Sequence, residues 1–322
     1  MWRGRLLAHL SVSRSSILEE YMKAVVLKAY GDVDQLSYED VEKPRPGSGE
    51  VLVRIAAASL NPIDWKLRSG AMKEFMPLEF PVILGYDLAG EVAELGAGVT
   101  SFKVGQRVMA VASKTYAEYA VVKADALTLI PSALSFEQAG ALPLVVLTGA
   151  TLVESGIKPK MGQSVVLSGA LGGVGRTAAY VADQHNAQVI AAVRPSQLKE
   201  AESLGTRAVV SLEDEEGLAK FVDIDSFADT VGGPVAAKLL KLLRPGAIYA
   251  TVVGAPPEAA NYDIRVEMVQ MRPDPVRLAQ LAEAFVKGEF KIPIAKVMKL
   301  SEAAEAHRLG QAGAGGKIVL VP

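Results

Sequence analysis

The sequence predicts an α/β fold: a small rolled-up β domain ahead of a doubly wound parallel sheet. Three observations carry this. Short apolar runs divided by Pro/Gly turns fill residues 24–122. From Ser164 onward, strand-length apolar runs alternate with helix-length ones. Between them, SVVLSGALGGVGRTAAYVADQHNAQVIAAVR (164–194) passes from a strand through a glycine-rich turn and an apolar helix to a second strand. The chain has 322 residues and is 50% hydrophobic, enough for about two domains with sizeable cores.

Each element follows from local pattern. Residues 1–21 carry Arg3, Arg5, Arg14 and four serines, with no acid before Glu19, the composition of a transit peptide. MKAVVLKAYG opens a strand at once, so the folded chain is expected to start at Met22, with 1–21 disordered or a misassigned start. Strands are expected at 24–27, 51–58, 89–95, 107–112 and 116–122. Turns at 44–47, 96–98 and 104–105 divide them. Residues 135–156 read as helix broken at Pro143. Strands then follow at 165–168, 189–193, 208–211, 227–231 and 247–253, with helices at 174–184, 197–204 and 236–243. The tail reads helix 276–286, strand 294–298, helix 302–309 and strand 317–321.

Composition excludes several classes. The net charge of -2 offers no basic surplus for nucleic acid, and no apolar run is long enough to span a bilayer. The chain has no cysteine, which removes disulfides, thiol nucleophiles and cysteine-bound zinc. His9, His185 and His307 form no paired motif, so no metal is expected and each is read as a surface or helix residue.

The turn at 170–175 reads Ala170-x-Gly172-x-x-Gly175, the dinucleotide fingerprint with alanine in first place. Gly172 lets backbone approach a pyrophosphate, and Gly175 lets the helix pack close to the strand. The N–H groups that open the helix, at Gly172, Gly173 and Val174, face the phosphate oxygens. An NAD site ends its second strand in Asp or Glu, about 20 residues on, to accept from the ribose 2′-hydroxyl. Here that place reads AAVRPS. Arg194 suits a 2′-phosphate that a carboxylate would repel, so NADPH is favoured, with Ser196 and Lys199 as further contacts.

Several segments together resemble one family. MKAVVLKAYG, PRPGSGEVLVRI, SLNPIDWKLRSG, PVILGYDLAGEVAELGAGV, FKVGQRVMA, SGALGGVG, ADTVGG and HRLGQAGAGGKIVL occur in the order and spacing of the zinc-free medium-chain dehydrogenase/reductases. The resemblance covers 22–322. It implies a GroES-like β-barrel catalytic domain in two pieces, 22–144 and 273–322, around a Rossmann domain at 145–272. It also implies a homodimer through the edge strands of the Rossmann sheets, and a cytoplasmic protein without nucleic-acid or membrane partners. Zinc alcohol dehydrogenases carry a cysteine near residue 61 and a histidine in a GHE turn. This chain has Asn61-Pro62-Ile63-Asp64 and Gly85-Tyr86-Asp87.

The resemblance further implies roles. Asn61 holds the nicotinamide ribose, Thr148 lies near the nicotinamide, and the backbone at Gly254 meets its carboxamide. Lys317 reaches either the cofactor or solvent. The implied reaction transfers a hydride from NADPH to an enone or alkenal, with a quinone the close second. Lys66 and Tyr86 are the candidates to stabilise the resulting enolate and supply its proton. Quinone reductases of this family often carry tyrosines where Lys66 and Met72 stand, which tilts the reading toward enones. The rival readings are a quinone reductase proper, an enoyl-thioester reductase and a non-catalytic NADPH-binding protein.

Overall fold

The structure is a computed structural model and describes residues 20–322, so the expectation for 1–21 lies outside it except at Glu20 and Tyr21. The first part runs β1 (Tyr21–Leu27), β2 (Leu36–Glu42), β3 (Glu50–Ser59), α1 (Pro62–Arg68), β4 (Val82–Ile83), β5 (Asp87–Leu95), β6 (Arg107–Val111), β7 (Tyr119–Lys123) and β8 (Thr128–Leu129). Two helices, α2 (Phe136–Gly140) and α3 (Pro143–Thr151), lead through a π-helical turn (Leu152–Ile157) into the second part. That part comprises β9 (Ser164–Ser168), α4 (Gly173–Gln184), β10 (Gln188–Val193), α5 (Leu198–Ala201), β11 (Ala208–Ser211), α6 (Glu215–Leu218), β12 (Ile224–Asp229), α7 (Gly233–Leu240), β13 (Leu243–Thr251) and β14 (Ile264–Met268). The tail adds α8 (Pro275–Val286), β15 (Ile294–Lys299), α9 (Ala303–Ala312) and β16 (Lys317–Val321).

The second part is a six-stranded parallel sheet in the order β11-β10-β9-β12-β13-β14. Numbered from its own first strand, this is the 3-2-1-4-5-6 order of the doubly wound dinucleotide fold. Its central strands are buried on both faces, which is why VVLS and VIAAV read as continuous apolar runs rather than alternating ones. The first part and the tail share a seven-stranded sheet in the order β15-β16-β3-β5-β6-β8, with β7 also on β3. The chain end returns here: β16 pairs antiparallel with β3, Leu320 opposite Ala58. A smaller sheet, β2-β1-β4, completes the barrel side.

β3 is apolar along most of its length because β5, β7 and β16 all pair with it. Arg54 is its one exposed residue and pairs with Glu91 directly across β5. One apolar core joins the two parts. Ala57, Ala89 and Met109 of the barrel, Leu142, Val146 and Leu152, and Val165, Leu167 and Ala191 of the parallel sheet all belong to it. α2 and α3 are therefore the packed floor between barrel and sheet.

Candidate functional site

The switch point of the parallel sheet lies between β9 and β12, where strand order reverses and ligands of such sheets bind at the carboxyl ends. Asp229 ends β12 there and is fully buried. Its Oδ1 accepts from Ser168 Oγ at 2.7 Å and from the Gly232 N–H at 2.9 Å, and its Oδ2 from Tyr249 and Thr251 hydroxyls at 2.9 Å each. One carboxylate thus ties β9, β12 and β13 together beneath the turn that follows β9.

That turn has the shape a pyrophosphate needs. Gly172 is the N-cap of α4; its own N–H, expected at the phosphate, donates instead to the Gly169 carbonyl at 2.9 Å. No side chain caps the helix, so the N–H groups from Gly173 onward stay available to an anion. A Cβ on Gly175 would stand 2.2 Å from the Gly169 carbonyl oxygen, so only glycine lets α4 lie this close to the strand. Ala170, in the first fingerprint place, is buried with its methyl accommodated. Gly173 and Val174 form the first turn, and Val145 of α3 packs against Gly173. These residues fit a dinucleotide.

The other expected cofactor residues fall around this turn. Arg194 follows β10 at its carboxyl end and is exposed; its Nε–H donates to Gln197 Oε1 at 3.3 Å. Ser196 is exposed in the turn that begins there. Gly254 lies beyond β13 with φ +112°. Thr148 sits on α3 and is half-buried, and its hydroxyl donates to the Leu144 carbonyl one turn back at 2.6 Å. The Thr148 hydroxyl is therefore already used by its own helix.

The barrel side contributes a buried polar cluster. Asp87, at the start of β5, is fully buried; its Oδ1 accepts the Leu144 N–H at 2.7 Å, placing a carboxyl at the start of α3. Its Oδ2 accepts from Ser59 Oγ, from Asn61 Nδ2 at 2.7 Å and from Lys317 Nζ at 3.3 Å. Lys317 also donates to Asn61 Oδ1 at 2.7 Å and to the Leu60 carbonyl at 2.9 Å. The Asn61 amide and the Lys317 ammonium, both expected at the cofactor, are held by one another and by Asp87. Lys317 is buried, which removes the solvent-facing alternative. Burial lowers its pKa, and Asp87 opposes the fall.

α1 begins at the Asn-Pro pair, with proline at its first position where no backbone donor is needed. Asp64 Oδ2 accepts the Asn61 N–H at 2.8 Å and the Tyr116 hydroxyl at 2.9 Å. Burial pushes the Asp64 carboxyl up to about 7. Tyr86 precedes β5, is half-buried, and is raised by burial and by the charge of Asp64. Lys66 lies on α1, half-buried. The structure brings Asn61, Asp64, Asp87 and Lys317 together and sets Tyr86 within the field of Asp64. It does not bond Lys66 or Tyr86 to that cluster.

Asp87, Ser59 and Tyr116 were not expected at the site. Asp87 had a signal in the GYD turn; Ser59 and Tyr116 had none, since they enter through pairing and packing. His307, expected at the surface or on a helix, is on α9 but wholly buried.

The fold and the phosphate-binding turn define an oxidoreductase that uses a nicotinamide cofactor. The chain belongs to the medium-chain dehydrogenase/reductase family, in its quinone oxidoreductase and alkenal/enone branch. Residues 47–132 match the alcohol dehydrogenase GroES-like domain, and residues 204–320 match the zinc-binding dehydrogenase domain. It is 35% identical over 206 residues to the chloroplastic quinone-oxidoreductase homolog of Spinacia oleracea, an alignment spanning 61% of this chain and 63% of that one. It is 31% identical over 264 residues to the chloroplastic NADPH-dependent alkenal/one oxidoreductase of Arabidopsis thaliana, spanning 77% of this chain and 67% of that one. The solved quinone oxidoreductase of Coxiella burnetii superposes with a TM-score of 0.83 at 28% identity, covering 94% of this chain and 99% of that one.

The cleft residues do not suit the zinc ion that one matched domain is named for. Asn61 and Tyr86 stand at the places of a cysteine and a histidine, and the Lys317 ammonium already sits against Asn61 and Asp87. Among the described residues no three His, Cys, Asp or Glu side chains gather to hold a metal. Among the same residues no helix is long and apolar enough to cross a membrane.

Proposed function

We propose that the protein is a zinc-independent, NADPH-dependent reductase of the activated C=C bond of enones and alkenals, with quinones as the second substrate class. The observation that carries the reading is Arg194 at the end of β10, a guanidinium where an NAD site places an acid. The ammonium lodged between Asn61 and Asp87 supports a metal-free cleft. Bound NADPH supplies a hydride from C4 of its nicotinamide. The chain supplies the anion cradle at the Gly173 and Val174 N–H groups, with Gly172 letting the backbone approach, the 2′-phosphate contacts at Arg194 and Ser196, and the nicotinamide surroundings from Asn61, Thr148, Gly254 and Lys317. Lys66 and Tyr86 face the developing oxyanion, and Tyr86 gives the proton that completes the C–H bond.

We further assign the protein to the cytoplasm, as a homodimer joined along β14, the edge of the parallel sheet, where Val266 and Met268 are exposed. The test is NADPH oxidation at ~340 nm with 2-alkenals, vinyl ketones and small quinones, and NADH in parallel. Fast enone turnover with a strong NADPH preference is expected. Turnover of quinones alone moves the assignment to quinone reductase. Tight NADPH binding without turnover makes the chain a binding protein.

A further inference from the structure

Asp64 has an asymmetric environment. Its Oδ2 takes two hydrogen bonds, whereas its Oδ1 is buried with no partner. A carboxylate shares its charge over both oxygens, so ionisation would leave charge on a buried atom that nothing solvates. Asp87, by contrast, draws four donors, including the Lys317 ammonium. The Lys317 ammonium bonds Asp87 and not Asp64, so the charge belongs on Asp87 and a proton on Asp64.

The packing around Asp64 ties this acid, through Tyr116, to the segment that carries Tyr86. Gly85, at φ +97°, has the Thr115 hydroxyl 2.4 Å and the Tyr116 ring 2.5 Å from where a Cβ would stand. Only glycine lets Tyr116, bonded to Asp64, lie against the segment that carries Tyr86. From α9, His307 meets the Tyr116 ring edge-on at 6.0 Å, and from α1 Arg68 is buried, paired with Asp32 at 3.1 Å.

We propose that Asp64 is a positioning residue that acts as the neutral acid of the cleft: protonated on Oδ1, it lets Tyr86 release its phenolic proton to the reduced substrate, and ionised, it stops that release. The inference rests on Tyr86 as the proton donor of the proposed reaction. The balance is simple. The hydride pair leaves the C4–H bond of the reduced nicotinamide and forms a C–H bond at the β-carbon; the C=C π pair becomes the double bond between the α-carbon and the carbonyl carbon, and the carbonyl π pair moves onto oxygen, giving an enolate. The Tyr86 O–H bond then breaks, its proton joins the α-carbon, and solvent reprotonates the phenolate. Asp64 keeps its own proton throughout, and the charge of an ionised Asp64 raises Tyr86 further.

The neighbouring groups leave Asp64 with this task. His307 is pushed down to about 3 by burial and by Arg68, so it is neutral throughout the working range. Tyr116 is pushed well above its ordinary value by burial and by Asp64. Burial pushes Asp64 to about 7, with Asp87 raising it and the Asn61 N–H, Tyr116 and Lys317 opposing. Lys317 also loses protons more readily than a free lysine, and D64N separates the two, since it removes Asp64 alone.

The experiment measures kcat against pH for the full chain and for Asp64→Asn, whose neutral amide keeps an acceptor for the Asn61 N–H and for Tyr116. Infrared titration of both proteins without cofactor follows the protonated-carboxyl stretch. The wild type is expected to lose about tenfold in kcat per pH unit above neutrality, and a protonated-carboxyl band is expected to vanish over the same range. D64N is expected to lack both the kcat limb and the band. An unchanged limb in D64N, or no carboxyl titrating near neutral pH in the wild type, overturns the proposal. If D64N does not fold, the wild-type band decides. If no substrate is reduced at all, the function assigned above fails, and the infrared titration still reports whether Asp64 carries its proton.

Discussion

Asp64 and His307 bear on stability in opposite pH directions. Asp64 has a folded pKa above its unfolded value, near 7 against 3.8, so the folded state binds the proton more tightly and stability falls as pH rises through that window. His307 has a folded pKa below its unfolded value, near 3 against 6.5, so stability falls as pH drops from 6.5 toward 3. In thermal melts, D64N is expected to gain on the wild type at pH ~8 relative to pH ~5, and His307→Phe to gain on it at pH ~4.5 relative to pH ~7. Parallel curves would refute either assignment. At the reaction itself, Lys66→Met is expected to lower turnover more than NADPH affinity; unchanged kcat removes Lys66 from the mechanism. Arg194→Ala removes the guanidinium proposed to hold the 2′-phosphate, so NADPH affinity is expected to fall about tenfold or more while NADH affinity holds. An equal loss for both cofactors would make Arg194 structural.

Among the elements, the turn before α4 and the edge strand β14 carry predictions. In Gly175→Ala the methyl meets the Gly169 carbonyl, so α4 must move off β9. The melting point is expected to drop by several degrees, as ~1–3 kcal/mol of overpacking implies for a chain of this size, and NADPH binding is expected to weaken with it. Met268→Lys puts a charge on the exposed edge and is expected to shift sedimentation from dimer to monomer; a wild-type chain that is already monomeric refutes the assembly.

The elements legible in the sequence were those with a burial signature. β9 and β10 are apolar because both faces are covered, and the fingerprint marks the turn between them. β2 and β14 were missed because LSYEDVE and IRVEM lie at sheet edges, where pairing makes the strand and solvent allows charge. The helix expected at 236–243 begins earlier, at Gly233-Pro234, where proline suits a first turn. At the site, Asn61, Asp64 and Tyr86 stood in recognisable segments. The bonds of Asp64 to Tyr116, of Asn61 to Lys317 and of Asp87 to Ser59 were not legible, since they join residues brought together only by the closed barrel.

Over the whole molecule, one core runs from the barrel through α2 and α3 into the parallel sheet, so cofactor binding is expected to stabilise both parts together. A single calorimetric transition that rises with NADPH concentration checks this; a barrel transition unmoved by NADPH counts against it. The bond between Asp87 and Lys317 spans 230 residues, whereas β9 to β14 occupy one unbroken stretch between them. During synthesis the parallel sheet can therefore assemble while β16 is still inside the ribosome. Until Lys317 emerges, Asp87 has no cation, the Asn61 amide oxygen has no donor, and β3 has one edge partner too few. A nascent chain is thus able to grip nucleotide before it has a finished chamber for any electrophile.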